Sequence, residues 1–477
     1  MSRINTNIPS MIAARIFSQN NEKLNMTLER LSTGFRINSG KDDPAGLIAS
    51  EVLRTNIRAI DAAITNARRA DNIVATAEGA LNEVGSLILE LEDLVDRSAN
   101  QGGLGANEIK ANQLQIDSIL DTINRIANST AFAGKNLLNG GLDYTLSSVT
   151  SSQLASVEVN SARIADGATR TVTVAVTTSA ETGYLRFAAS GLAAGNSVTL
   201  EVQGNLGTEN FSFAASASTT TILTAINAAK DLTGVSATTS TNNSGLIFSS
   251  TEFGSDQFVS IKALQGTFTV ADRNSNTTTK DFGGDVVATI SGQSVTGTGR
   301  DVSLNSASLG VDVTLSTSFS QDTNNTSTFG VTGGGATFAL SPELNLVGRQ
   351  SIGIASVTTG NLGKSGIGFI SSLGSGQAND LKQKNFLAAQ NIIRAAGTKV
   401  ASLRGRLGSF QKDTLESTIR SLQVTLENTT AAESAIRDTD FATETSKLTR
   451  SQILVAAGTS TLQLSNAAPQ SVLSLLG

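Results

Sequence analysis

Leu53-Arg-Thr-Asn-Ile57-Arg-Ala-Ile60-Asp-Ala-Ala-Ile64-Thr-Asn-Ala67 begins a series of apolar positions that continues through Val74, Ala77, Leu81, Val84, Ile88, Leu91 and Val95. The steps alternate between three and four residues, apart from one step of seven where Asp71 occupies the seam. Near the other end the pattern returns as Ile393, Ala396, Val400, Leu403, Leu407 and Phe410, then Leu415, Ile419, Leu422 and Leu426. A 3-4 stripe held over several heptads is a coiled-coil seam rather than an ordinary core face. The first run alone spans ~65 Å as a helix at 1.5 Å per residue. One long rod from each end of the chain implies a hairpin-like antiparallel shaft that carries the middle of the sequence at its far end. The fold class expected is therefore multidomain α+β, with a helical coiled-coil shaft built from both termini and a β-rich central outer region.

Composition argues against chemistry. The 477 residues include no Cys, no His and no Trp, with three Met and four Pro. The usual zinc, copper, haem and iron–sulfur sites have no ligands, and His-dependent nucleophilic catalysis has no base. No disulfide can form. Length alone suggests about three domains of roughly 150 residues. The net charge of −5 is uneven: residues 1–140 carry 14 basic and 16 acidic side chains, residues 141–345 carry 8 and 16, and residues 346–477 carry 13 and 8. No clustered basic face for nucleic acid emerges, and the acidic middle reads as a solvated outer surface. The opening residues lack a secretory h-region, and no run approaches the 18 apolar residues of a membrane span.

Punctuation divides the chain. Residues 1–33 hold a weak stripe (Ile4, Ile8, Met11, Leu24, Leu28, Leu31) closed by Gly34 as a helix stop. Asp43-Pro44 reads as N-cap and first position of the next helix. That helix runs to about Asn100 and breaks at Gly102, Gly103 and Gly105; a return helix bearing Ile116, Ile119, Ile123 and Ile126 ends near Asn128. From 141 to 345 the text turns to Thr, Ser, Val and Gly in period-two alternation, interrupted by a helix at Thr220 to Lys230. Long helix resumes near Asp380. The narrow, Ala- and Ser-padded apolar faces of the two terminal segments bury little surface within one chain, so ordering against copies of the chain is expected.

Four motifs then carry a resemblance. Arg30-Leu-Ser-Thr-Gly-Phe-Arg-Ile-Asn38-Ser-Gly-Lys-Asp-Asp-Pro-Ala-Gly46, Ile126-Ala-Asn-Ser-Thr130 followed by Gly134-Lys135, Ile436-Arg-Asp-Thr-Asp-Phe-Ala442, and Pro469-Gln-Ser-Val-Leu-Ser-Leu-Leu476 together resemble bacterial flagellin. The likeness covers residues 1–140 and 380–477; Phe211 to Leu264 is similar to a small insert found in flagellins and filament-cap proteins. The resemblance implies an extracellular structural subunit that self-assembles into the flagellar filament for swimming, exported by the type III route and without enzymatic activity. It implies residues 1–43 as inner-tube helix and spoke, 44–140 and 346–437 as the two parts of a helical outer-tube domain, 141–345 as a β-rich exposed variable region, and 438–477 as the C-terminal inner-tube helix. Leu24, Leu28, Leu31, Leu454, Leu462, Val472 and Leu475 are the expected intersubunit contacts. Arg30, Arg36, Asp42 and Asp43 match the family's spoke region, although capping alone explains Asp43. Expected partners are copies of the chain, an export chaperone, and the filament cap and hook-junction proteins, with neither nucleic acid nor membrane insertion and no cofactor.

Many flagellins present an Arg-rich patch on the long N-terminal helix that a vertebrate innate immune receptor reads. Aligned through Ala80-Leu-Asn-Glu83 and Ser98-Ala-Asn100, the two Arg positions are Glu90 and Glu92 here, and only Leu94 follows the pattern. Other readings fare worse. Gly363-Lys364-Ser365 is similar to a phosphate-binding loop, but the required earlier Gly is Thr358. Asp438-x-Asp440 is similar to a calcium loop, but its sixth position is Thr443 and its twelfth Thr449. The hook–filament junction protein shares similar ends and is the alternative; the full Asp-Thr-Asp-Phe-Ala and Val-Leu-Ser-Leu-Leu motifs favour the filament subunit.

Overall fold

The computed structural model describes residues 6–100, 102–103, 105–165, 167–240 and 245–473. The chain divides into two compact units, Met1–Arg69 with Ala339–Leu344 and Thr414–Gly477, and Ala70–Phe338 with Asn345–Asp413.

The first unit is helical. Helix α1 runs Ile8–Thr33 and stops where Gly34 adopts φ 77° and its N–H bonds to the Arg30 carbonyl, a conformation that a side chain would strain. Helix α2, Pro44–Ala99, contributes its opening half here and its remainder to the second unit. In this half Ile60 and Ile64 pack with Leu422 and Leu426, all seam positions named from the sequence, and Ala63 joins them.

The second unit contains the rest of α2, helix α3 (Ala106–Ser129), two β-rich modules and a long helix at Phe386–Ser409. The outer module has a five-stranded antiparallel sheet in the order Gln293–Thr296, Val287–Ile290, Arg170–Thr178, Thr326–Gly334, Tyr144–Ser147. A three-stranded sheet, Asp301–Asn305, Leu309–Leu315 and Leu154–Ala162, closes over it. Their shared core includes Val172, Val174, Val302, Val311, Val313 and Phe329. Nested between Thr178 and Val287, which pair with each other, is a second module. It has two four-stranded sheets, helix α4 (Thr219–Ala228) and the short turn of helix α5 (Lys230–Thr233), with its own core around Leu185, Leu200, Ile222, Phe248 and Ile261. Glu181 and Gly284 exchange backbone hydrogen bonds where the chain enters and leaves it. The outer module resumes after it and includes the single turn α6 (Thr317–Ser320).

Helix resumes slightly later than the sequence suggests. Asp380 caps a 3-10 turn at Leu381–Gln383, and α7 spans Phe386–Ser409. Ala389, Ile392, Ile393, Ala396, Val400, Leu403 and Leu407 are buried along it. In this unit α7 lies antiparallel to α2, through Gln390–Asp96 at 3.0 Å, Arg394–Glu92 at 3.0 Å and Arg404–Glu78 at 3.2 Å. A π-helical segment, Phe410–Glu416, precedes α8 (Ser417–Arg437), and α9 spans Phe441–Leu473. The strands at Arg349–Ile352, Gly363–Lys364 and Gly368–Phe369 extend the β content beyond 345.

Candidate assembly interface

Two turns of the first unit meet. Arg36 N–H donates to the Arg437 carbonyl at 2.7 Å, Thr439 N–H donates to Gly34 O at 2.9 Å, and Phe35 bridges Asp438. The Arg36 guanidinium also donates to the Ile436 carbonyl. Arg437 stacks over the Phe35 ring, 4.6 Å from its centroid, and pairs with Glu51 at 3.4 Å and Glu433 at 3.9 Å. Arg30 lies 3.8 Å from Glu444, a buried carboxylate that Lys447 also approaches at 2.9 Å. Of the expected spoke residues, Arg30 and Arg36 thus reach the C-terminal segment, while Asp42 and Asp43 bond locally. Asp42 folds its own turn by accepting from Ser39 N at 2.8 Å, Asn38 N at 3.2 Å and the Ser39 hydroxyl at 3.0 Å. Those donors, led by the Ser39 amide, hold its pKa below the ordinary carboxylate value. Asp43 caps α2 by accepting from Gly46 N at 2.9 Å. The residues that tie the two turns together, Arg437, Glu51, Phe35 and Glu444, were not singled out from sequence.

Helices α1 and α9 pack on each other in antiparallel fashion. Asn7 donates to Ser465 O at 2.8 Å near one end, and Arg30 meets Glu444 near the other. Between them Gly458 faces Phe17, where an added Cβ would sit 3.3 Å from the ring. The terminal segments therefore find a partner inside the chain before any second copy supplies one, which the sequence reading did not anticipate. The pairing is thin. Ala13 and Thr27 are the residues of α1 that it buries, while Met11 stays 66%, Ile453 64% and Leu464 74% exposed.

Of the expected contacts, Leu28 and Leu454 are exposed, Leu24, Leu31 and Leu462 are half-buried, and Val472 falls within α9. Leu475, like Ile4, lies outside the described residues. Ile8 and Met11, already in the weak stripe of the sequence, form an exposed stripe with Ile12 and Ile16; the spacing of three, one and four residues is a helical face. On the long helix Glu90 is exposed, Glu92 pairs with Arg394, and Leu94 is only 4% exposed, so it belongs to the core rather than to a receptor-facing surface. Among the described residues no acidic group is arranged to hold a metal ion, and no helix is long and apolar enough to cross a membrane.

Residues 4–142 match the bacterial flagellin N-terminal helical region, 390–476 the bacterial flagellin C-terminal helical region, and 199–252 the flagellin hook IN motif. Flagellin B of Vibrio cholerae is 30% identical over 475 residues, 99% of either chain. Flagellin E of the same organism is 45% identical over 137 residues, 29% of this chain and 36% of that relative. The flagellar junction protein FlgL of Legionella pneumophila aligns with 82% of this chain and 99% of its own at 10% identity, but with a TM-score of 0.28 the likeness carries no weight.

Proposed function

The chain belongs to the bacterial flagellins, and on that premise we propose how this subunit of the extracellular swimming filament assembles. The observation that carries the proposal is the exposed apolar face of the α1–α9 pair: Ile8, Met11, Ile12, Ile16, Leu28, Ile453, Leu454 and Leu464. An apolar face of this extent left in water is a binding surface, since each buried Å² of it contributes roughly 25 cal/mol. A neighbouring copy of the chain covers it through a heterologous contact that does not close on itself, and such a contact repeats into an open helix. Leu24, Leu31, Leu462, Val472 and Leu475 extend the same contact, and residues 1–43 and 438–477 line the inner tube. Arg36, Arg437, Phe35 and the capped Asp42–Asp43 turn brace this inner layer. The protein acts by assembly rather than catalysis, and its further partners are an export chaperone and the cap and junction proteins at the filament ends.

Leu28→Asp and Leu454→Asp test the reading. Each is expected to abolish filaments in negative-stain images after salt-induced polymerisation while leaving the monomer's melting curve in place. Normal filaments from both variants would overturn it.

A further inference from the structure

Within the second unit, the three-stranded sheet turns its valines inward and its polar side chains outward. Val157, Val159, Val302, Val311 and Val313 enter the core, while Ser156, Glu158, Asn160, Asp301, Ser303 and Asp312 line a cleft of ≈850 Å³. The opposite wall is a helical stripe of α7, Ala395, Thr398, Lys399, Ser402, Leu403 and Arg406, together with the hairpin that carries Lys364. Register sets Glu158 directly opposite Asp312 on adjacent strands, a like-charge pair that disfavours the sheet on its own. Cations from the far wall answer it. Lys399 pairs with Glu158 across the cleft, and Lys364 pairs with Asp301 at 2.5 Å, whose carboxylate also accepts from Thr314 at 2.6 Å. Arg406 donates to the Gly353 carbonyl at 2.9 Å and lies within the field of Glu158, Asp312 and Asp143. Asp143 and Tyr144 complete the titratable lining.

We propose that these ion pairs form an electrostatic clasp between the sheet and α7, and that ionic strength opens it. A packed interface would fill such a space with side chains at crystal-like density; here opposite charges bridge it. The paired groups are accessible to ions, with side-chain exposures of 23% and 36% for Lys399 and Glu158 and 41% and 45% for Lys364 and Asp301. Exposed pairs of this kind weaken as salt screens them. Two buried polar atoms, Asn160 Oδ1 and Arg406 Nε, have no hydrogen-bond partner, which marks the seam as polar and loosely fitted rather than dry. Lys364 belongs to the Gly-Lys-Ser stretch whose phosphate-loop reading fails; its role becomes one half of the clasp.

The chain has no cysteine, so Asn305→Cys on the sheet and Ala401→Cys on α7, both exposed and outside the cleft, accept spin labels in the full-length protein. The label-to-label distance distribution is expected to be narrow at low salt and to broaden about twofold at about 1 M salt, where the Debye length is ~3 Å. Glu158→Lys or Lys399→Glu alone is expected to be broad already at low salt, and the two reversals together to be narrow again. The neutral pair Glu158→Gln with Lys399→Gln keeps the fold free of new repulsion and is expected to be broad at every salt concentration. A wild-type distribution indifferent to salt, a neutral pair as narrow as wild type at low salt, or a double reversal no narrower than either single one would each overturn the clasp.

Discussion

The β-rich modules and the α1–α9 pair handle their apolar residues in opposite ways. In the modules Val172, Val174, Leu200, Phe248 and Phe329 are completely or almost completely sequestered between sheets of the same chain. Across α1 and α9, residues of the same chemical kind stay in water. The modules have a finished hydrophobic core and need no neighbour. The terminal helices have half of one, and in the assembly proposed above another copy supplies the rest. On that proposal one polypeptide separates a part with a closed core from a part that polymerises, and the separation follows from how wide an apolar face each segment has.

That contrast can be broken most directly by deleting side chains. Phe248→Ala should cost about 3–5 kcal/mol, because it leaves a cavity in a closed core. Met11→Ala should change monomer stability by less than ~0.5 kcal/mol, because its side chain already faces solvent. The two tyrosines, Tyr144 and Tyr184, both lie in the β-rich modules, so tyrosine fluorescence during denaturant unfolding follows that region without interference from the terminal helices. Comparable losses from the two substitutions, read by fluorescence and by far-UV circular dichroism, would erase the distinction.

How much of this was readable in advance follows from the range of the interactions. The seam in α2 and α7–α8, the Gly34 stop and the Asp43–Pro44 start are written in residues within a few positions of one another, and the structure reproduces them. The nested module was legible only in outline. Strands on both sides of its borders share one Thr/Ser/Val alternation, and the pairing of Thr178 with Val287 has no local signature. The turn-to-turn cluster was invisible for the same reason: Arg437 reaches Glu51 across 386 positions, and Arg36 is bonded to a backbone carbonyl that every residue possesses. The π-helical segment does have a local signature. The seam steps five residues from Phe410 to Leu415, one more than a continuous α-helix tolerates, and the wider turn absorbs the extra residue so that Leu415 is still fully buried.

A smaller effect sharpens the comparison at the boundary of the helical part. Asp43 satisfies one of the free N–H groups at the start of α2, and Asp43→Ala should cost about 1 kcal/mol of helix stability. Asn in its place keeps an acceptor oxygen and should recover most of that loss. The change belongs to the first unit, so it should appear in the helical circular dichroism transition and leave tyrosine fluorescence unmoved. An Ala variant that unfolds with the wild-type transition would show that the cap is redundant.

The smallest expected effect lies in the β-rich region, and its sign is opposite. Asp143 accepts from Tyr144 N at 2.8 Å, but burial, reinforced by the nearby Glu158 carboxylate, raises its pKa above the ordinary 3.8; Lys399 and Arg406 only partly counter this. A carboxyl that holds its proton more tightly in the folded state contributes its full stability below 3.8. That contribution is lost as pH rises through the raised value, because the ionised form must then be kept away from water. At neutral pH the folded protein therefore carries a charge that opposes folding. Asp143→Asn removes the charge while its amide oxygen can still accept from Tyr144 N. The variant should be slightly more stable than wild type at pH 7 by tyrosine fluorescence, and the advantage should disappear as pH falls below about 4, where the wild-type carboxyl is itself protonated. A variant less stable at pH 7 than wild type would mean that the attraction of Lys399 and Arg406 for the ionised carboxylate outweighs the cost of burying it.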